Sequence, residues 1–232
     1  MSGLVGEAFV AIWHDIVPEG KTAYYEWHNR EHIPERLSLA GFRRGRRYIA
    51  ERGAPEYFNL YEVDTMEILT SEEYLRRLNN PTPLTRQTLP YFRNVSRSLC
   101  RIVGSMGCGD GGIIMTWQLA AREGRETELR RYFQEQALPA VFTRWGVVGA
   151  HIGVADFAAS EIMTEERKGR GTHTLVPDWV VLVEGISVAA LEAAAEPELG
   201  AAALQSRGAA ASIQTGIYRL EMSRAKISRA AE

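Results

Sequence analysis

The order of strand-like and helix-like segments predicts an α+β fold made of two ferredoxin-like β-α-β-β-α-β repeats. Three observations support this prediction. The first half of the chain shows the six elements in that order, a glycine-rich connector follows, and the same order then returns. A chain of 232 residues, of which 45% are hydrophobic and 24% are charged, is long enough to build two such units, each with its own core.

The first predicted repeat spans residues 1–106. Its strands are expected at 7–16, 42–51, 56–63 and 94–103, and its helices at 21–39 and from residue 70 onward. Thr70 is the expected N-cap of the second helix, because Glu73 follows at capping-box spacing. Pro34 lacks an amide proton and its ring crowds the preceding turn, so the first helix is expected to kink or end there, with His32 near its last regular turn.

The second predicted repeat spans residues 107–232 and begins within the glycine-rich connector. Its strands are expected at 112–119, 147–154, 178–184 and 213–222, and its helices at 125–138 and 188–204. Matching residues recur at similar offsets: Pro34 with Pro139 and Gly41 with Gly146 at 105, Trp13 with Trp117 at 104, and Glu62 with Glu184 at 122. An insertion at 155–177 accounts for the longer offset and is predicted to be a surface loop or oligomer contact in preference to a lid.

Composition argues against several classes of partner. A net charge of −2 gives no reason to expect nucleic acid or an anionic membrane surface as a partner. There is no charged-then-apolar leader and no apolar run near the length of a membrane helix, so a cytoplasmic, reduced protein is expected. Cys100 and Cys108 are accordingly expected to be inert thiols and not a disulfide.

An aromatic and titratable face runs along the first predicted helix. At 100° per residue, Tyr24, His28 and His32 lie on one side. His32 is the leading candidate for a catalytic proton-transfer residue, because imidazole changes its charge near neutral pH. Either Glu35 or Glu62 is expected to orient its ring and raise its basicity. The alternative is a structural histidine that caps a broken helix.

The second repeat does not carry the same titratable groups. Phe133 and Ala137 stand where the first repeat has His28 and His32. Residues that the fold itself required would be expected to recur in both repeats. The chemistry is therefore expected in the first repeat, with His28 as a second and weaker catalytic candidate.

The two histidines also stand four residues apart, which is a spacing that suits a pair of metal ligands on one helix face. A third ligand would have to come from His14 or Asp15 on the first strand. Paired histidines without such a ligand are common by chance, so no metal site is predicted.

Arginines on the second predicted strand are candidates for substrate binding. Alternation along the strand places four side chains on one face: Phe42, Arg44, Arg46 and Tyr48. A guanidinium fork suits a carboxylate or enolate oxygen, so Arg46 and Arg44 are expected to bind an acidic substrate. Further expected substrate-binding residues are Tyr48, Trp13, Tyr24 and His151, which aligns with Arg46. Alternatively, the aromatic residues belong to the core and the arginines form a basic edge with Glu51, Glu56 or Glu62.

The segment EHIPE at 31–35, followed by LAGFRRGRRY at 39–48, resembles the EthD-like family of dimeric α+β barrel proteins. The resemblance covers residues 5–104, and the second repeat fits as a diverged copy over 111–223. It implies two sheets that face each other as an α+β barrel, with a small-molecule cleft between each sheet and its helices. Two chains usually form that barrel in such families, so this chain is expected either to form it alone or to pair as a homodimer.

These features favour an enzyme with cofactor-independent acid/base chemistry, of the isomerase, lyase or monooxygenase type that such barrels resemble. The expected substrate is a small aromatic or lactone-like carboxylic metabolite. One alternative is a haem or metal-dependent enzyme, because related barrels include haem proteins. Another is a non-catalytic ligand-binding or assembly protein, which the diverged second repeat and the charged insertion would suit.

Overall fold

A closed barrel of antiparallel strands forms the centre of the computed structural model, which describes residues 3–107 and 109–226. The eight strands of the described part are β1 (Ala8–Ile16), β2 (Phe42–Gly53), β3 (Tyr57–Val63), β4 (Phe92–Gly107), β5 (Ile113–Ala121), β6 (Val147–Ala155), β7 (Trp179–Gly185) and β8 (Ala209–Ala225). Around the barrel they follow the order β1-β3-β2-β8-β5-β7-β6-β4.

Each half of the chain contributes four adjacent strands in the same relative order. The first half runs β4-β1-β3-β2 and the second runs β8-β5-β7-β6, which is the strand order of a ferredoxin-like unit. Pairing of β2 with β8 and of β4 with β6 joins the two sheets. The predicted α+β fold with facing sheets is therefore confirmed, and one chain closes the barrel by itself.

Helices cover the outer faces of both sheets. In the described residues they are α1 (Lys21–Trp27), α2 (Ile33–Ser38), α3 (Glu72–Asn79), α4 (Pro83–Thr88), α5 (Glu126–Tyr132), α6 (Leu138–Phe142), α7 (Phe157–Glu161), α8 (Glu165–Gly169), α9 (Val188–Leu199) and α10 (Ala201–Ser206). Within this part of the chain, each helix falls short of the length and apolar character that crossing a membrane requires.

The first helix passes Pro34 instead of ending there. A π-helical turn, His28–His32, joins α1 to α2, and the amide of Ile33 donates to the carbonyl of His28. This widened turn places Pro34 in the first turn of α2, where its missing amide proton and its ring are tolerated. The second half repeats the arrangement with a π-helical turn, Phe133–Ala137, before α6. The helix therefore does not end at the proline, which was one of the two expected outcomes; the irregularity lies in the π-helical turn just before it.

The cap of the second helix lies one residue later than predicted. Thr70 ends a 3-10 turn, Met66–Thr70, and Ser71 caps α3 by accepting a hydrogen bond from the amide of Tyr74 at 3.3 Å. Thr70, which the capping-box spacing predicted as the N-cap, belongs to this 3-10 turn instead.

The barrel wall separates an inner core from two outer cores. Trp13 pairs with Phe58 and points into the barrel, whereas Trp117 pairs with Val181 and packs outside, where its indole Nε1 donates to a carbonyl of α9. The residue of β5 equivalent to Trp13 is therefore Gln118, at an offset of 105. The predicted match of Trp13 with Trp117 was wrong by one position. A shift of one residue along a strand moves a side chain from the inner face of the barrel to the outer face.

The insertion folds back over the first half of the chain. Its helices α7 and α8 pack against β4, α3 and α4, so that Glu166 is 3% exposed and Arg170 is 8% exposed. Main-chain hydrogen bonds also tie Leu175 to Val95 and Arg97 on β4. Residues 156–176, here called the cover segment, thus pack on the first half of the chain and are more ordered than the predicted surface loop, while the predicted oligomer contact stays a prediction.

Candidate active site

A small cavity lies between the sheet of the first half, the α1-α2 helix and the cover segment. Its volume is about 20 Å³, which is room for about one water molecule. The lining side chains are Val10, Ile12, His32, Arg36, Phe42, Tyr61, Tyr74, Leu78, Arg97, Glu166 and Arg170. We call this space the His32 cavity. It lies where the family resemblance implies a small-molecule cleft, between a sheet and its helices, but its own side chains nearly fill it.

Two buried guanidinium groups give the His32 cavity a positive lining. Arg36 Nη2 donates to Glu166, while Arg36 Nη1 has no hydrogen-bond acceptor and lies 3.8 Å from Glu35 Oε2. Arg170 stacks over the ring of Phe92 at 5.7 Å, and its Nε also lacks an acceptor in the described structure. Burial lowers the pKa of Arg170 to about 10, so it remains charged at neutral pH. With two unsatisfied donors, the cavity favours an anion.

His32 faces this cavity from the π-helical turn. Its ring lies 4.2 Å from the Trp27 ring, and its Nδ1 is buried with no hydrogen-bond partner among the described residues. Burial, with the nearby charge of Arg36 as a second cause, holds the pKa of His32 well below 6.5. The imidazole is therefore neutral at physiological pH and can accept a proton.

Hydrogen bonds occupy both ring nitrogens of His28. The guanidinium of Arg47 can only donate, so its 3.1 Å contact makes His28 Nδ1 the acceptor. His28 Nε2 therefore carries the proton and donates to the hydroxyl of Tyr61 at 3.0 Å. Burial, followed by the charge of Arg47, holds the pKa of His28 well below 6.5. With no free nitrogen, His28 does not form the metal pair with His32 that its spacing suggested.

His14 and Tyr24 extend this aromatic row deeper into the first half. His14 Nε2 lies 2.9 Å from Asn59 Nδ2 and 3.3 Å from the hydroxyl of Tyr24. The ring of Tyr24 in turn stacks on that of His28 with centroids 5.2 Å apart. Burial lowers the pKa of His14 to about 3 and raises the pKa of Tyr24. Tyr24 thus packs against His14 and His28. Neither Tyr24 nor His14 lines the His32 cavity.

Of the two carboxylates expected to orient His32, only Glu35 lies near it. Potential ligand atoms of His32, Glu35 and Glu166 all lie within 4.8 Å of one another. Glu62, by contrast, points into the barrel together with Phe58 and Leu60 of the same strand. The sheet separates it from His32, because successive residues of a strand face opposite sides.

The expected substrate-binding arginines lie inside the barrel and pair with carboxylates. Arg44 Nε and Nη2 donate to the two oxygens of Glu62, each at 2.7 Å. Arg46 Nη1 donates to Glu184 Oε2 at 2.8 Å, and its Nη2 lies 3.0 Å from Glu62 Oε1. Their contacts thus match the salt-bridged alternative, with Glu62 as the nearby glutamate.

Three more of the expected residues also face the barrel interior, namely Tyr48, Trp13 and His151. His151 Nδ1 lies 2.7 Å from Ser105 Oγ, and burial lowers its pKa to about 3. Phe42 was predicted to share the face of Arg44 but packs in the outer core. A β-bulge between these two residues shifts the register and reverses the alternation. Of the expected substrate-binding set, only Tyr24 lies outside the barrel.

Sequence reasoning missed the charged residues that line the His32 cavity. Arg36 stands four residues after His32 on the same helix, so helical spacing could have identified it. Glu166 and Arg170 come from an insertion more than a hundred positions away, and no local pattern assigns them to this site. Cys100 is buried as a free thiol, while Cys108 lies outside the described residues, so the pairing of the cysteines remains a prediction.

Comparison with known proteins shows similarity in fold. No protein-family model and no curated protein sequence matches this chain. Among solved structures, an anthrone oxidase-like protein matches with a TM-score of 0.63 and 11% identity, covering 100% of this chain and 99% of that one. A protein assigned as a monooxygenase, from Fusobacterium nucleatum, matches with a TM-score of 0.59 and 8% identity, covering 95% of each chain.

A haem-binding protein from Thermus thermophilus also matches, with a TM-score of 0.52, 11% identity, and coverage of 95% of this chain and 94% of that one. Sequence identities this low establish a common fold and nothing finer. The chain thus shares its fold, a closed barrel of two ferredoxin-like sheets, with these proteins.

Proposed function

We propose that the His32 cavity is the active site of a cofactor-independent enzyme that moves a proton on a small aromatic or lactone-like carboxylic metabolite. One observation carries this proposal. A neutral imidazole with an unpartnered ring nitrogen lines the same cavity as two guanidinium groups with unpartnered donors. A base and an anion-binding pair at one place are the two requirements for removing a proton from carbon next to a carboxylate or lactone carbonyl.

The chemistry follows from these groups. Arg36 and Arg170 would hold the substrate's negative oxygen and the charge that develops on it when the neighbouring C–H bond is broken. His32 would take up that proton. Burial is the main cause of the low pKa of His32, and the arginine charges add to it. A bound anion would offset the charges of Arg36 and Arg170, so the substrate itself would strengthen the base. Returning the proton to another carbon gives isomerisation, loss of a leaving group gives elimination, and reaction of the carbanion with dioxygen gives oxygenation.

We further propose that the chain is EthD-like within the superfamily, on the strength of its EHIPE and LAGFRRGRRY segments. Oxygenation gains some support among the three reaction types, because fold neighbours are described as a monooxygenase and an anthrone oxidase-like protein.

Hydrogen-deuterium exchange at carbon tests the proposal, because it detects proton removal even without net turnover. The full chain would be incubated in deuterium oxide with a panel of aromatic and lactone carboxylic acids and followed by NMR. We expect exchange with at least one member, about a hundredfold slower in His32→Gln, and unchanged in the control His173→Gln, which alters an exposed histidine. Equal exchange in His32→Gln, or no exchange with any member, would overturn it. A ligand that binds without exchange would favour a binding protein.

A divalent metal is the second candidate, and one observation favours it. His32, Glu35 and Glu166 place potential ligand atoms within 4.8 Å of one another. One imidazole and two carboxylates are a reasonable donor set for zinc, manganese or iron. Arg36 competes with a cation there, since it pairs with Glu166. Near-stoichiometric metal in the purified protein that is lost in both His32→Gln and Glu166→Gln would establish this candidate.

Haem would require the His32 cavity to open, as any carboxylic metabolite would, because the closed cavity holds about 20 Å³. Both nitrogens of His28 are hydrogen-bonded, so of the two histidines on the α1-α2 helix only His32 has a free nitrogen that would hold the iron.

A further inference from the structure

We propose that Glu166 acts as a tethered carboxylate that occupies the anion position of the His32 cavity, and that a carboxylate ligand binds by displacing it from Arg36 and by also reaching Arg170. The cover segment is then an internal competitor of the substrate. The catalytic meaning of this inference rests on the proposed function. The inference adds to that function by naming Glu166 as the side chain that keeps the site closed.

The size of the cavity requires some displacement. It has room for about one water molecule, so no carboxylic metabolite can enter unless a lining side chain moves. Most of the lining belongs to the sheet and helices of the first half. Glu166 and Arg170 alone among the lining residues are carried by the cover segment. Glu166 is also the one carboxylate of that lining, so it is the group that an incoming anion would replace.

The hydrogen bonds of the two arginines make this replacement favourable. Glu166 accepts a hydrogen bond from Arg36 Nη2. Two other donors, Arg36 Nη1 and Arg170 Nε, have no acceptor among the described residues. A free carboxylate can settle where both guanidinium groups reach it, whereas a carboxylate fixed to α8 cannot adjust its position. Exchange of one charge-assisted hydrogen bond for others avoids leaving a buried arginine unpaired, which would be costly.

The attachments of the cover segment allow its middle part to move. At one end the amide of Asp156 donates to Leu99 O at 2.8 Å, and the amide of Leu99 donates to Ser160 Oγ at 3.0 Å. At the other end Leu175 and Arg97 are joined through the main chain at 2.8 Å. Both ends are thus tied to β4.

Between these ties, α8 is held mainly by side-chain contacts. The ion pair of Glu166 with Arg36 is one of them, and a hydrogen bond of 3.1 Å from the amide of Glu165 to Asn79 Oδ1 is another. When the ion pair breaks, the start of α8 can move outward and withdraw Glu166, while Arg170, at the end of α8, keeps its place over the Phe92 ring.

Ligand binding to matched variants tests the inference. Benzoate is the probe, and benzamide, which has the same shape without the charge, is the ligand control. In Glu166→Gln we expect benzoate to bind about tenfold more tightly than in the wild type, with no such gain for benzamide. Glu165→Gln is the variant control, because it removes a carboxylate from an exposed position of the same helix.

Hydrogen exchange of the wild-type backbone provides a second measurement that needs no variant. Saturating benzoate should make amides in residues 161–174 exchange faster, while β4 amides at the two ties stay protected. Unchanged benzoate affinity in folded Glu166→Gln would overturn the inference. Unchanged or slower exchange of 161–174 in the benzoate complex would overturn it as well.

The two proposals can fail separately. Benzoate binding and backbone exchange require no reaction, so they report on the anion site even if proton exchange at carbon is never found. Conversely, proton exchange that depends on His32 but is unaffected by Glu166→Gln would support the enzyme and reject the tethered competitor.

Discussion

Arg46 and Glu184 connect the two halves of the chain inside the barrel, where Arg46 Nη1 donates to Glu184 Oε2 at 2.8 Å across 138 positions of sequence. Both side chains are at most 1% exposed. Removing one partner leaves a buried charge, so we expect Glu184→Gln to lower the free energy of unfolding by about 3 kcal/mol. The double variant Arg46→Leu/Glu184→Leu should cost less than the sum of its single changes. Urea denaturation measures both quantities.

The exposed pair Arg219 and Glu51 supplies the control for that experiment. Its side chains are 53% and 37% exposed, so Arg219→Gln should cost at most about 1 kcal/mol. Equal costs for Glu184→Gln and Arg219→Gln would show that the inner ion pair contributes no more than a surface one.

The hydrogen bonds of His28 predict its tautomer. Arg47 donates to Nδ1, so the proton must reside on Nε2, facing Tyr61. Long-range ¹H–¹⁵N spectra at neutral pH should show the Nε2–H form, and it should persist as the solution is acidified, because burial holds the pKa of His28 well below 6.5. A spectrum of protonated or Nδ1–H imidazole for His28 would contradict the assignment.

Buried histidines predict how stability depends on pH. The folded-state pKa lies below the ordinary 6.5 for four of them: His14, His28, His32 and His151. Below pH 6.5 the unfolded chain gains protons that the folded chain does not accept. Stability should therefore be fully present above about pH 6.5 and fall as the pH drops, by up to about 1.4 kcal/mol per pH unit for each histidine.

Denaturation curves between about pH 7.5 and 5 measure this slope. His151→Gln removes one of the four groups, so its slope should be smaller than that of the wild type. Parallel curves for wild type and His151→Gln would mean that His151 takes up its proton as readily in the folded protein as in the unfolded chain.

Gly41 and Gly146 occupy equivalent turns of the two halves, with φ of +79° and +82°. Alanine in this left-handed conformation costs roughly 1–2 kcal/mol. At Gly146 a new Cβ would also lie 2.7 Å from the Cβ of Ala190, which cannot rotate away, whereas at Gly41 it meets the flexible end of Ile68. Gly146→Ala should thus destabilise the protein more than Gly41→Ala, as measured by urea denaturation.

Gly124 is the control for these turns, because it has φ of +76° and nothing within 4 Å of its added Cβ. Gly124→Ala reports the conformational cost alone. If Gly146→Ala costs no more than Gly124→Ala, the contact with Ala190 carries no energetic penalty.

Local patterns predicted most of the fold. Strand and helix positions followed from the spacing of apolar residues, and turns followed from proline and glycine, because these properties act over a few residues. The same reasoning identified His32 and Glu35 as neighbours on one helix. It failed where a single inserted residue changed the geometry: the bulge between Phe42 and Arg44 reversed the faces of β2, and a π-helical turn carried the helix past Pro34.

The sequence by itself thus determined the order of elements, their pairing into two ferredoxin-like units, and the helix that carries the candidate base. Only the tertiary structure decided which charges meet. It placed Glu62 with Arg44 and Arg46 inside the barrel, and it brought Glu166 and Arg170 to His32. The physical reason is that periodicity assigns a side chain to a face, whereas closure of the barrel and packing of the cover segment bring together faces that are distant in the chain.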